Sequence, residues 1–213
     1  MHNRRDDDCD GRTDEDAFDE GRVFLSEIAR QPRLGAPSIQ VDAQWIELAS
    51  TADAPIDLHG LRFVRENVAA GKDTFEITGS LVIPARGFVL LCKDPSTELL
   101  ACDYRWGDRT RPQAWAIPGR DNTFNLQRDE DSLSIWAGDE RSGRLVDRVA
   151  WTQDPVSPWP REAAWAMVLD PLVTNAADND QPGAWCVAKG NTWWAVGKDR
   201  EYGTPGAANP PCR

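Results

Sequence analysis

At 213 residues, 40 % apolar and 28 % charged, the chain has the length and composition of one globular domain with a sizeable core rather than of a disordered polymer. A formal net charge of −11 repels phosphate backbones, which argues against nucleic acid as a partner. No run of about 18 apolar residues occurs, so no transmembrane helix is expected.

The charge is concentrated at the start. Residues 1–21 hold nine acids and three bases, a sum of −6, leaving −5 for the other 192 residues. Within this leader, Asp6-Asp7-Asp8-Cys9-Asp10-Gly11-Arg12-Thr13-Asp14 places acids at loop positions 1, 3, 5 and 9 and glycine at 6. That spacing wraps oxygen ligands around calcium, and glycine permits the sharp turn. The expected metal set is Asp6, Asp8, Asp10, Arg12 and Asp14, with Arg12 at the position where such loops use a main-chain carbonyl. Ala17 stands where a bidentate Glu is usual, and Asp16 or Asp19 are the nearest substitutes. The alternative is a solvated acidic tail.

From Val23 onward, short apolar runs alternate with Pro and Gly punctuation. Strands are expected over residues 23–30, 43–50, 58–64, 75–77, 81–83, 87–92, 132–137, 144–151 and 163–169. The run at 87–92 is almost continuously apolar, as in a strand buried on both faces. Gly138-Asp139 and Ser142-Gly143 mark a hairpin between the late strands. No segment keeps a helical period, so the pattern predicts an all-β sandwich. Residues 93–131 read as a long excursion, and 170–213, with five Pro, as extended coil around the sandwich. The body is therefore expected over residues 22–209, with a short tail at 210–213.

Ten Trp against two Tyr is unusual. Trp106, Trp115, Trp159, Trp193 and Trp194 fall in expected loops, where flat rings could stack on sugars; packing of the long loops is the competing reading. Of five Cys, Cys92 and Cys102 flank one loop, and Cys186 and Cys212 flank the C-terminal segment. Both pairs are disulfide candidates, with Cys9 left over; the alternative is that all five stay reduced. Disulfides imply export, whereas the first residues lack the apolar stretch of a signal peptide. A start upstream of Met1 would reconcile the two.

Several pieces in this order resemble the lamin tail domain. They are Leu25-Ser26-Glu27-Ile28, Trp45-Ile46-Glu47-Leu48, Asp57-Leu58-His59-Gly60-Leu61 and Ile83-Pro84-Ala85-Arg86-Gly87-Phe88-Val89-Leu90. Asp131-Ser132-Leu133-Ser134-Ile135 and Leu145-Val146-Asp147-Arg148-Val149 follow. The ending, Asp178-Asn179-Asp180-Gln181-Pro182-Gly183-Ala184-Trp185 and then Gly203-Thr204-Pro205-Gly206-Ala207-Ala208-Asn209, is similar to bacterial members. The resemblance implies an immunoglobulin-like sandwich and a non-catalytic module of an exported bacterial protein, extracellular or at the cell surface. The resemblance defines no ligand; the expected partner is a protein or, through the loop Trp residues, a cell-surface polysaccharide. The stretch after Asp7 also resembles the second half of an Asp/Cys-rich metal-binding motif of bacterial surface proteins.

Little in the chain points to catalysis. His59 lies at an expected turn and His2 in the leader, which leaves little material for a Ser-His-Asp or Cys-His arrangement. No nucleophile elbow or phosphate loop occurs. Glu27 and Glu47, acids within neighbouring apolar strands, are the best carboxylate pair for acid/base or cation chemistry. A buried, hydrogen-bonded pair is the simpler expectation. A metal-dependent hydrolase would need this pair open to solvent.

Overall fold

The computed structural model describes residues 18, 21–32, 43–67, 69–93, 101–106, 124–152, 155–156, 158–160, 165–188, 190, 192–196 and 199–212. The expected cation loop (Asp6, Asp8, Asp10, Arg12, Asp14), Cys9 and Trp115 lie outside them.

Among the described residues, β structure dominates. The strands are β1 (Val23–Ala29), β2 (Trp45–Ser50), β3 (Ile56–Asp57), β4 (Leu61–Asn67), β5 (Gly71–Glu76), β6 (Val82–Ile83) and β7 (Phe88–Cys92). They continue with β8 (Tyr104–Arg105), β9 (Asp131–Ala137), β10 (Arg144–Trp151), β11 (Met167–Leu169), β12 (Trp185–Val187), β13 (Thr192–Val196) and β14 (Asp199–Tyr202). One sheet has the order β12-β11-β1-β2-β7-β8, and a second has β10-β9-β4-β5. Small two-stranded sheets pair β3 with β6 and β13 with β14. No helix among the described residues is long and apolar enough to cross a membrane.

The strand expected over 58–64 is split. Asp57 Oδ1 accepts the amides of His59 and Leu81 at 3.1 Å each, and Gly60 takes φ +83°, so the chain turns before β4. His59 is exposed at this turn. The strand expected at 75–77 instead runs Gly71–Glu76; its exposed Lys72 and half-buried Asp73 and Thr74 hid a sheet-edge strand from an apolar reading. The expected hairpin joins β9 and β10.

The C-terminal segment departs most from expectation. Residues 170–213 were expected as coil, but β12 extends the larger sheet beside β11, and β13 and β14 form a hairpin. Backbone pairing there outweighs the Pro content, because each Pro falls outside the strands.

Apolar side chains separate into two clusters. Leu25, Ile28, Ile46, Leu48, Phe63, Leu133, Ile135 and Trp151 belong to the principal core. Ala29, Trp45, Leu90, Cys92, Ala166, Val168 and Ala188 form the second, with Cys102, Cys186 and Tyr202 against it. Neighbouring strand residues contribute to different clusters: Ile46 and Leu91 to the first, Trp45 and Cys92 to the second. The larger sheet is thus covered on both faces, which accounts for the continuous apolar run of β7. Phe18, within the acidic leader, also packs into the principal core.

Trp106 corrects a sequence expectation. Rather than presenting its ring from a loop, it is fully buried, stacked 5.3 Å from Phe75, with Phe124 edge-on to both. Its indole N–H donates to the Phe124 carbonyl at 3.3 Å. The two ends of the excursion are therefore stapled into the core by aromatic packing. Cys92 and Cys102 lie at disulfide distance, with Cα atoms 5.9 Å apart, as do Cys186 and Cys212 at 5.5 Å.

Candidate functional site

Ordinary strand alternation would place Leu25 and Glu27 on one face. A β-bulge at Ser26 separates them: Leu25 pairs with Leu48, and Glu27 with Glu47. Leu25 and Leu48 enter the principal core. Glu27 and Glu47 stand side by side in a row across four strands, Val168, Glu27, Glu47, Leu90. The outer members of this row, Val168 and Leu90, belong to the second cluster. Both carboxylates are 0 % exposed.

The C-terminal segment supplies their hydrogen bonds. Thr204 N–H donates to Glu27 Oε1 and Oε2 at 3.0 and 3.2 Å, and Thr204 Oγ1 to Oε2 at 3.2 Å. Gly206 N–H donates to Glu47 Oε2 at 2.6 Å, and Ser26 Oγ to Glu47 Oε1 at 2.7 Å. Asn209 Nδ2 donates to the carbonyls of Ser26 and Leu169, while its Oδ1 accepts from Thr204 Oγ1. Cys212 N–H reaches Asp170 Oδ2 at 3.2 Å. Residues 203–212 are therefore a strap fastened along β1, β2 and β11, and the two Glu are its anchors.

A third buried acid joins the sheets. Asp147 on β10 accepts Leu25 N–H at 2.7 Å and Asn179 Nδ2 at 2.9 Å through Oδ2, and Arg148 N–H at 2.7 Å through Oδ1. The amide at the β1 bulge thus finds its partner on the opposite sheet. Asn179 in turn accepts the Trp185 indole N–H on its carbonyl at 2.6 Å. Asp131 accepts Gln127 N–H at 2.8 Å and Ser132 N–H at 3.0 Å, with Arg65 Nη1 at 3.9 Å.

Burial raises all four acids. Glu27 lies well above the ordinary 4.5, through desolvation and then the neighbouring Glu47. Glu47 is pushed up to about 7 by desolvation, opposed by the Ser26 and Gly206 hydrogen bonds. Asp147 rises to about 7 and Asp131 to about 6, desolvation leading in each.

The sequence brought Glu27 and Glu47 together correctly, and both are buried, so the pair does not meet the solvent-access condition of the hydrolase reading. Trp159 is buried. Trp193 and Trp194 lie on β13, and their side chains are outside the described set. A half-buried Trp165–Tyr202 pair, centroids 4.6 Å apart, adjoins that hairpin through β14. Asp147, Asn179 and the strap residue Thr204 were not singled out as functional. The signal for Asp147 was weaker than for Glu27 and Glu47, because its strand also carries Arg144 and Arg148.

Two hollows open beside these elements. One of about 460 Å³ lies against Asp147, Arg148 and Asp180, and one of about 170 Å³ beside Ser26, Asp170 and Asn209. Compared with known proteins, the chain matches no family model and no curated protein.

Proposed function

We propose that the chain is a non-catalytic binding or structural module of an exported bacterial protein, a lamin-tail-like, immunoglobulin-like sandwich carrying a calcium-binding leader. One observation carries the reading. The fully buried carboxylates Glu27 and Glu47 are occupied by hydrogen bonds from the strap, as Asp147 is by the bulge amide, so the acids a reaction would need hold the fold instead. The pairs at disulfide distance support an oxidising, extracellular or cell-surface setting. Calorimetric titration of calcium tests the leader. Binding in the ~µM to mM range that Asp8→Ala and Asp10→Ala abolish supports it, and no heat rejects it.

A second reading, recognition of a cell-surface polysaccharide, is favoured by the half-buried Trp165–Tyr202 pair beside the strand bearing Trp193 and Trp194. Replacing Trp193 and Trp194 by Ala should abolish polysaccharide binding and leave the fold intact. Unchanged binding removes that reading.

A further inference from the structure

We propose that Glu27 and Glu47 retain one proton between them, and that this proton keeps the C-terminal strap seated on the six-stranded sheet, so that rising pH unfastens the strap. The two carboxyls are direct cross-strand neighbours, both 0 % exposed, in a row whose other members are Val168 and Leu90. Two like charges this close and this dry cannot both ionise without a compensating cation.

Among the described residues the surroundings offer few. Within β1, β2, β7, β11 and β12 the only charged residues are Glu27 and Glu47 themselves, and residues 203–212 carry none. Arg30, just beyond β1, donates to the Pro160 carbonyl and lies over the Trp151 ring. Lys93, just beyond β7, donates to Asn125. β8 contributes Arg105, but Asp103 precedes it, and its charge further opposes ionisation of Glu47. β14 contributes one described charged side chain, the buried Glu201.

With one proton present, the single negative charge is well served by the amides of Thr204 and Gly206 and by the Thr204 and Ser26 hydroxyls. Loss of that proton places a second charge in an apolar row. The least costly relief is local: the strap lifts and water reaches the carboxylates. Its far end stays tethered, because Cys212 pairs with Cys186 on β12. The molecule then exposes the Glu27–Glu47 face without losing its core.

Native-state hydrogen exchange tests this, with protection of the Thr204 and Gly206 amides followed from about pH 6 to 9 after correction for intrinsic rates. Protection should fall by up to about tenfold per pH unit once the second carboxyl titrates, as expected for one linked proton. The Ile135 amide in β9 should hold its protection. Constant protection of Thr204 and Gly206, or a parallel loss at Ile135, overturns the proposal. In Glu47→Gln the dependence should flatten; a folded variant that keeps the wild-type profile also overturns it. If that variant does not fold, the wild-type profile alone decides.

Discussion

Replacing Asp147 by Ala should cost more than almost any other polar substitution in the body. The carboxylate accepts both the bulge amide of Leu25, at 2.7 Å, and the Asn179 side chain, at 2.9 Å, and without it the Asn179 amide keeps a longer contact of 3.5 Å to the Leu25 carbonyl. Truncation leaves both donors in the interior, at ~1–3 kcal/mol each. Release of a buried carboxyl, already held near neutrality by desolvation, offsets part of this. A net loss of about 2–4 kcal/mol is expected, a large share of the ~5–15 kcal/mol available to a domain. Urea unfolding should show a lower midpoint with an unchanged slope. Asp147→Asn, which retains one acceptor oxygen, should fall between the two proteins. A loss below about 1 kcal/mol for the Ala variant would mean that Asp147 does not join the sheets as described.

Other outcomes follow from the same contacts. Glu27, Glu47, Asp131 and Asp147 all have native values above their unfolded ones, so the native protein keeps protons that the unfolded chain has released. Their contribution is complete below the unfolded values near 4 and is lost as pH rises, through about 6 for Asp131 and about 7 for Glu47 and Asp147. For Glu47 alone, the span from 4.5 to about 7 corresponds to roughly 3 kcal/mol. The melting temperature should therefore be higher near pH 5 than near pH 8, and the reverse order contradicts the assignment. Cys186→Ser removes a cross-link spanning 26 residues and should cost about 3 kcal/mol in chemical denaturation under oxidising conditions, with no difference under reducing ones. Trp106→Ala should cost about 3–5 kcal/mol by the same assay, because it empties a fully buried site against Phe75 and Phe124. A near-neutral result would return Trp106 to the surface.

Much of the fold was legible in the sequence. β1, β2, β7, β9 and β10 follow from apolar runs closed by turn residues, and the β9–β10 hairpin from its Gly and Ser turn. What hid the remainder was physical. β5 is a sheet-edge strand and needs only Phe75 fully buried, so its polar residues read as loop. β12 has three residues, too few to show a period, and gains its order from pairing with β11. Trp106 looked available because nothing in its local sequence encodes the distant Phe75 that it stacks on.

The site was half legible for a similar reason. Lone acids in apolar strands identified Glu27 and Glu47, whereas Asp147 was masked by Arg144 and Arg148 in its own strand. The partners could not be read, because Thr204 and Gly206 lie 177 and 159 residues away from the Glu they serve. The bulge at Ser26 was also invisible: strict alternation assigns Leu25 and Glu27 to one face, and only the Asp147 hydrogen bond to Leu25 explains why they part.

The most direct test of the account is a carbon-13 NMR titration of the glutamate side-chain carboxyls in the unmodified protein. Glu47 should still be protonated near pH 6 and titrate at about 7, with Glu27 also raised well above the ordinary carboxylate range. If both instead titrate near 4.5, the pair is neither buried nor coupled, and the strap is not anchored on it.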